Sequence, residues 1–295
     1  MSKSVLVFLL VAAGVTGLLY SFRTEQPTDS SRSGPWQVAA PLPALAEEEK
    51  TKPATEPAET EKAVKTTATA APEATKKKYP AQDPSKGALE GKIVFEGELP
   101  ELKLPEIRRD HAERAICTAH LKNETLILSE KNELKDVVVS VAKYKPKNRV
   151  KPGAITLDNN NCTFVPHVQA TTAGSKLTVT NGDAFLHNTH AVLAASFNRA
   201  VGPGSELVQT LRKPGWAPIS CDIHPWMKAH IWIFSHDLFD VSRADGAYKI
   251  PNIPPGEYDI EYWHEYPLKR QTKKVTIEAG KTTRLDVTFR KQVKK

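Results

Sequence analysis

The 295-residue chain is sparing with sulfur: it has 3 cysteines, at positions 117, 162 and 221, and 2 methionines, one of them the first residue. So few cysteines exclude a disulfide-dense scaffold. No two of them stand in a CxxC pair, which argues against a structural zinc site. The 9 histidines include no His-x-His pair, and there is no Met-rich or His-rich tract. The net charge of +7 comes from scattered lysines with short clusters at TKKK and RKQVKK. No basic face with interleaved aromatics accompanies it, so no nucleic-acid role is expected. The charge reads as a solvated surface that helps attract an acidic partner. A sustained helical period is missing too, outside the stretch EIRRDHAERAICTAH at 106–120.

What is present begins with Lys3 ahead of an apolar run from Val5 to Tyr20. A positive start followed by an apolar core is the mark of export. Bulky Leu18, Leu19 and Tyr20 leave no small-x-small cleavage pattern, so residues 1–23 read as an uncleaved signal anchor, with a cleaved signal peptide as the alternative. The expected location is the periplasm or cell exterior, tethered to the inner membrane. Residues 24–86 are rich in Pro, Ala, Thr, Glu and Lys and read as a disordered tether that cannot bury a core. From Leu89 onward, short runs such as KLTVT, HIWIF and RLDVTF alternate apolar and polar residues and are broken by Gly, Pro, Asn and Asp. That pattern predicts an all-β fold of the sandwich type.

One stretch concentrates unusual chemistry. CDIHPWM places Cys221, His224 and Met227 within seven residues. Thiolate and thioether favour Cu(I), imidazole suits either oxidation state, and two imidazoles, a thiolate and a weak axial thioether make a blue-copper set. A second imidazole is offered by TNGDAFLHNTHA, which follows an alternating strand. His187 and His190 are the two candidates there. Zinc is the competing metal.

The segments FVPHVQATTAGSKLTVTNGDAFLHNTHA and GWAPISCDIHPWMKAHIWIF resemble the cupredoxins, the family of plastocyanin, pseudoazurin and amicyanin, over residues 150–236. His187 stands six residues after Asn181 and is followed by Asn188, as the family's first copper histidine often is. The short Cys-x2-His-x2-Met loop resembles that of amicyanin. The resemblance implies a Greek-key β-sandwich with His187, Cys221 and His224 as equatorial ligands and Met227 as the weak axial one. It also implies that Asn188 ties the His loop to the Cys loop. Pro225 and Trp226 read either as an apolar docking patch or as loop packing. Cys117 and Cys162, left as an even pair in an exported chain, are expected to form a disulfide. His167 reads as a core or surface strand residue, His230 and His236 as surface residues, and His111, His120 and His264 as structural.

The stretch DVSRADGAYKIPNIPPGEYDIEYWHEYPLKRQTKKVTIEAGKTTRLDVTF resembles the carboxypeptidase-regulatory-like, or prealbumin-like, β-sandwich. Strand patterns expected of that family occur before the copper segment. One small sandwich built from 87–150 and 237–292, with the cupredoxin at 151–236 inserted, is therefore expected; two tandem domains are the alternative. The expected function is a one-electron carrier with one copper per chain cycling between Cu(I) and Cu(II). It is expected to be no enzyme and to serve redox partner proteins such as a cytochrome or a membrane oxidoreductase. A copper carrier or storage protein is the competing function.

Overall fold

The computed structural model describes residues 77–291. The expected anchor and residues 24–76 of the expected tether lie outside the described residues. Among the described residues no helix is long and apolar enough to cross a membrane. The fold is all-β. Strand β1 (Gly87–Glu96), helix α1 (Arg114–Thr118) and β2 (Val138–Val141) come first. Nine strands follow: β3 (Ala154–Asn160), β4 (Thr163–Val165), β5 (Val168–Thr172), β6 (Ser175–Asn181), β7 (His187–Ala191), β8 (Phe197–Val201), β9 (Glu206–Leu211), β10 (Gly215–Ser220) and β11 (Lys228–Phe234). The chain then forms β12 (Phe239–Val241), β13 (Ala247–Ile253), β14 (Gly256–Trp263), β15 (Gln271–Ile277), β16 (Thr282–Arg284) and β17 (Val287–Arg290).

Two pairs of sheets enclose two apolar clusters. In the first pair, β1 lies between β13 and the β16–β17 segments, facing the sheet β12-β2-β14-β15. Their inward residues, among them Leu89, Ile93, Val139, Tyr248, Ile260, Tyr262 and Phe289, form one core. The alternating burial along β1 shows why: its odd-numbered residues from Leu89 to Phe95 are buried, and its even-numbered ones are more exposed. Gly91 is required there, because a Cβ would sit 1.9 Å from the Leu285 carbonyl oxygen. The Tyr248 hydroxyl fills the same corner, donating to that oxygen at 2.6 Å.

The second pair of sheets, β5-β11-β10-β7-β8 and β4-β3-β6-β9, comes from the continuous stretch 154–234. Leu157, Phe164, Leu177, Val179, Ile219, Ile231 and Ile233 form its core, together with Cys221 and Met227. The strands on either side of this stretch, β2 and β12, pair with each other in antiparallel register, Ser140 opposite Phe239. The 154–234 unit is thus spliced between two neighbouring strands of the other.

Two local features depart from the sequence pattern. Residues 77–86, at the end of the expected tether, are held against the first pair of sheets. Lys77 bonds Asp240, Tyr79 donates to Asp240 at 2.8 Å, and the Asp83 N–H donates to the Asn252 side chain at 2.7 Å. The helical period at 106–120 yields only the five residues of α1, which has no side-chain N-cap and no acidic residue in its first turn. A helix so short is marginal alone; Cys117, its one buried residue, holds it by the disulfide to Cys162.

Candidate metal centre

The Cys221–Met227 loop joins β10 to β11 and is closed at its base by the Ser220–Lys228 strand pair. Inside it, the Cys221 N–H donates to the Met227 carbonyl at 3.4 Å and the Met227 N–H to the His224 carbonyl at 2.9 Å. These bonds turn Cys221, His224 and Met227 inward, and all three are buried at 1% exposure or less. The facing loop runs from β6 to β7. Its shape is set by Asn181, whose Nδ2 donates to the carbonyls of Phe185 and Val201, while its Oδ1 accepts the Asp183 N–H.

His187, Cys221 and His224 come together. Cys221 Sγ lies 3.9 Å from His187 Nδ1 and 3.6 Å from His224 Nδ1. Donors sharing one small ion, at bond lengths of about 2.0–2.3 Å, stand roughly 3.3–3.8 Å apart, so the set fits a metal. His187 is locked for this role: its Nε2–H donates to Asp183 Oδ2 at 2.9 Å, leaving the Nδ1 lone pair aimed at the sulfur. Asp183 is itself fixed by the N–H groups of Asn161 and Cys162, at 2.7 and 2.9 Å. The sulfur accepts the backbone N–H of Asn188 at 3.5 Å and of His224 at 3.4 Å, donors that favour a thiolate. Met227 packs in the same apolar cluster as Cys221.

Burial sets the protonation of these groups. It pushes the Cys221 thiol up, partly offset by the backbone N–H groups. It pushes His224 down to about 4, helped by the neighbouring His187 and His111 rings, and holds His187 below the usual imidazole range against the pull of Asp183. Both rings are therefore neutral at neutral pH, and a cation gains two free imidazole lone pairs.

His190 is not part of this group. Successive strand residues point to opposite faces, so an offset of three from His187 sends it to the other side of β7. There its Nδ1 meets Asp222 Oδ1 at 2.9 Å. Asn188 joins the two loops: its Oδ1 accepts the N–H groups of Asp222 and Ile223 at 2.7 and 3.3 Å, and its Nδ2 donates to Asp222 at 3.0 Å. Trp226 faces inward, its Nε1–H donating to the Cys162 carbonyl at 3.2 Å and its ring packing on His224. The Cys117–Cys162 disulfide is present, with Ile107, Phe185 and Trp226 around it.

The sequence missed Asp183, although its place between Asn181 and His187 in a tight loop was visible. It also misplaced His230 and His236, which are buried at 8% and 4% exposure rather than lying on the surface. His230 is buried because the other unit packs beside it: with His167 it converges on Glu265, from the segment after β14. This trio is a poor metal site. His167 Nδ1–H donates to the Lys228 carbonyl at 3.0 Å, whereas His230 Nδ1 accepts from Trp216 Nε1–H at 3.2 Å. His230 Nε2 must then carry the proton and has no lone pair to give. The trio is instead an ion pair. Burial opposes charge on His167, but the Glu265 bond and charge, with Glu124 and Asp136, hold it above the usual range. Burial also opposes charge on Glu265, yet its bonds to His167 and His230 bring it down to about 2.

No protein-family model and no curated protein matches the chain. Solved structures with partial likeness include a copper-containing nitrite reductase from Thermus scotoductus SA-01, at 24% identity and TM-score 0.28, covering 30% of this chain and 24% of that one. The chain thus spans about a quarter of the length of that enzyme. A purple cupredoxin from Nitrosopumilus maritimus overlaps at 20% identity and TM-score 0.25, covering 28% of this chain and 98% of that one. A Cu(I) amicyanin variant overlaps at 19% identity and TM-score 0.25, covering 27% of this chain and 81% of that one. Scores this low assign no family, and the functional reading rests on the residues themselves.

Proposed function

We propose that the chain is a mononuclear blue-copper protein that carries single electrons, with the 154–234 unit as its copper domain. The observation that carries this reading is the convergence of two neutral imidazole lone pairs on a buried cysteine sulfur, one ring fixed by a carboxylate. His187, Cys221 and His224 would hold the ion, with Met227 as the weak fourth donor. Copper bound there supplies a metal that alternates between Cu(I) and Cu(II) with its charge shared onto the thiolate. The chain's own part is to hold the ligands still. Asp183 fixes the His187 ring, Asn188 ties one ligand loop to the other, and the apolar packing around Cys221 keeps water away. Small ligand movement means a small cost on each change of charge. In this reading the chain is exported, is tethered by residues 1–23, is not an enzyme, and meets a redox protein such as a cytochrome.

The test is metal analysis and a visible spectrum of the purified chain. One copper per chain and a strong blue band in the oxidised protein are expected. Cys221→Ser should abolish the band while the β-type circular dichroism persists. A colourless wild type fully loaded with copper would overturn the reading.

A further inference from the structure

Beside the ligand loop, on its outer side, lies a second group that the copper reading does not use. His111 and Glu113 sit in the turn before α1, held over His224 by the disulfide of Cys117. The His111 and His224 ring centroids are 5.0 Å apart. His111 Nε2 lies 2.9 Å from the Ile223 carbonyl oxygen. A carbonyl only accepts, so Nε2 carries the proton and neutral His111 presents a lone pair at Nδ1. That lone pair faces Glu113 Oε2 at 3.1 Å: an acceptor opposed to an acceptor. The same oxygen is 3.7 Å from His224 Nε2. Both nitrogens, His111 Nδ1 and His224 Nε2, are buried without a hydrogen-bond partner, and His224 is 0% exposed. A buried polar atom left in this state is costly. A proton would satisfy one nitrogen; a metal ion would satisfy both and the carboxylate.

We propose that His111 Nδ1, Glu113 Oε2 and His224 Nε2 form an outer site for a borderline divalent cation, Zn(II) or Cu(II). The donors suit such ions. Separations of 3.1 and 3.7 Å bracket the roughly 3.3 Å between neighbouring donors of a tetrahedral ion with bonds of about 2.0 Å. The side chains of His111 and Glu113 retain 15% and 25% exposure, so the mouth is open to solvent and a water can complete the coordination. His224 offers a lone pair at Nε2 only while its proton sits on Nδ1, beside the Cys221 sulfur, and at Nδ1 only while the proton sits on Nε2. The outer and inner sites therefore exclude each other at this ring. The outer site is a loading stage: an ion captured there passes inward as the His224 proton moves from Nδ1 to Nε2 and the Cys221 thiol gives its proton to solvent. The loading role rests on the copper reading; the outer site itself does not.

The test uses the full chain and two measurements. In His187→Ala/Cys221→Ser, which keeps His224 but removes two of the inner donors, Zn(II) should bind at one per chain by calorimetry. Adding His111→Gln or Glu113→Gln should weaken it at least tenfold. Separately, the blue band formed on mixing copper-free wild type with Cu(II) should appear at least tenfold faster than in His111→Gln, each rate scaled to its own final amplitude. Zinc binding that is absent, or unchanged by His111→Gln, overturns the outer site; equal loading rates overturn its role. If the double variant does not fold, Cys221→Ser alone takes its place in the zinc measurement, with the same His111→Gln and Glu113→Gln comparison. A wild type that never turns blue while the zinc result holds would sink the copper reading and leave the outer site standing.

Discussion

At the scale of single residues, the chemistry of the site depends on which nitrogen of each ring keeps its proton. For His187 that choice is made by Asp183, which the ring cannot avoid at 2.9 Å. Asp183→Ala should release the ring and weaken copper about 10–100-fold, the usual effect of losing a carboxylate behind a metal-binding histidine. Competition with a copper chelator measures it, and an unchanged affinity would show that the carboxylate is incidental. His187→Ala should abolish the blue band and His190→Ala should preserve it, because the second ring lies on the far face of β7, paired with Asp222. The reverse result would require a different strand register. The convergence of His187, Cys221 and His224 was legible in the sequence because soft and borderline donors are rare in this chain and fall at characteristic spacings. Asp183, His111 and Glu113 were not, since an acidic residue in a turn or a histidine 113 positions from its neighbour in space has no local pattern to mark it.

At the scale of elements, the β6–β7 and β10–β11 loops are short connections pinned by side chains rather than by regular structure. Asn188 satisfies two backbone N–H groups of the Cys221 loop from across the gap. Asn188→Ala should leave them unpaired, at about 1–3 kcal/mol. Urea unfolding of the copper-free protein should show that loss, and an unchanged midpoint would place the loops under other control. The disulfide secures α1, which has neither cap nor length to stand alone. Cys117→Ser/Cys162→Ser should cost about 2–5 kcal/mol, read by the same method. The strands themselves were legible from apolar alternation, and the disulfide from an even pair of cysteines left over. The ordered contacts of residues 77–86 were not, because Lys77 and Tyr79 gain their partner only when Asp240 is brought 160 or more residues along the chain to meet them.

At the scale of the whole molecule, the His167–Glu265–His230 trio lies where the two units meet, and His230 stands three residues beyond Met227. His167, with its folded pKa raised, contributes stability that is complete below about pH 6.5 and is lost as pH rises through the raised value. Glu265, lowered to about 2, contributes stability that is complete above about pH 4.3 and is lost as pH falls towards 2. Glu265→Gln should therefore be most harmful between about pH 4.5 and 6.5, by about 3 kcal/mol. The penalty should shrink at alkaline pH. Denaturation of wild type and variant at pH 5.5 and pH 9 compares the two, and a penalty independent of pH would mean that the pair is not ionised.

The pairing of β2 with β12 has a kinetic consequence. Ser140 and Phe239 meet across nearly a hundred residues of chain, and closing so long a floppy segment carries an entropic cost and slows the search for register. If the inner unit collapses first, its ends are delivered side by side and that search becomes a local one. Assembly should then run from the inside outwards. A refolding experiment on the wild type, with hydrogen exchange read at intervals, should find amides of β6, β10 and β11 protected before those of β2 and β12.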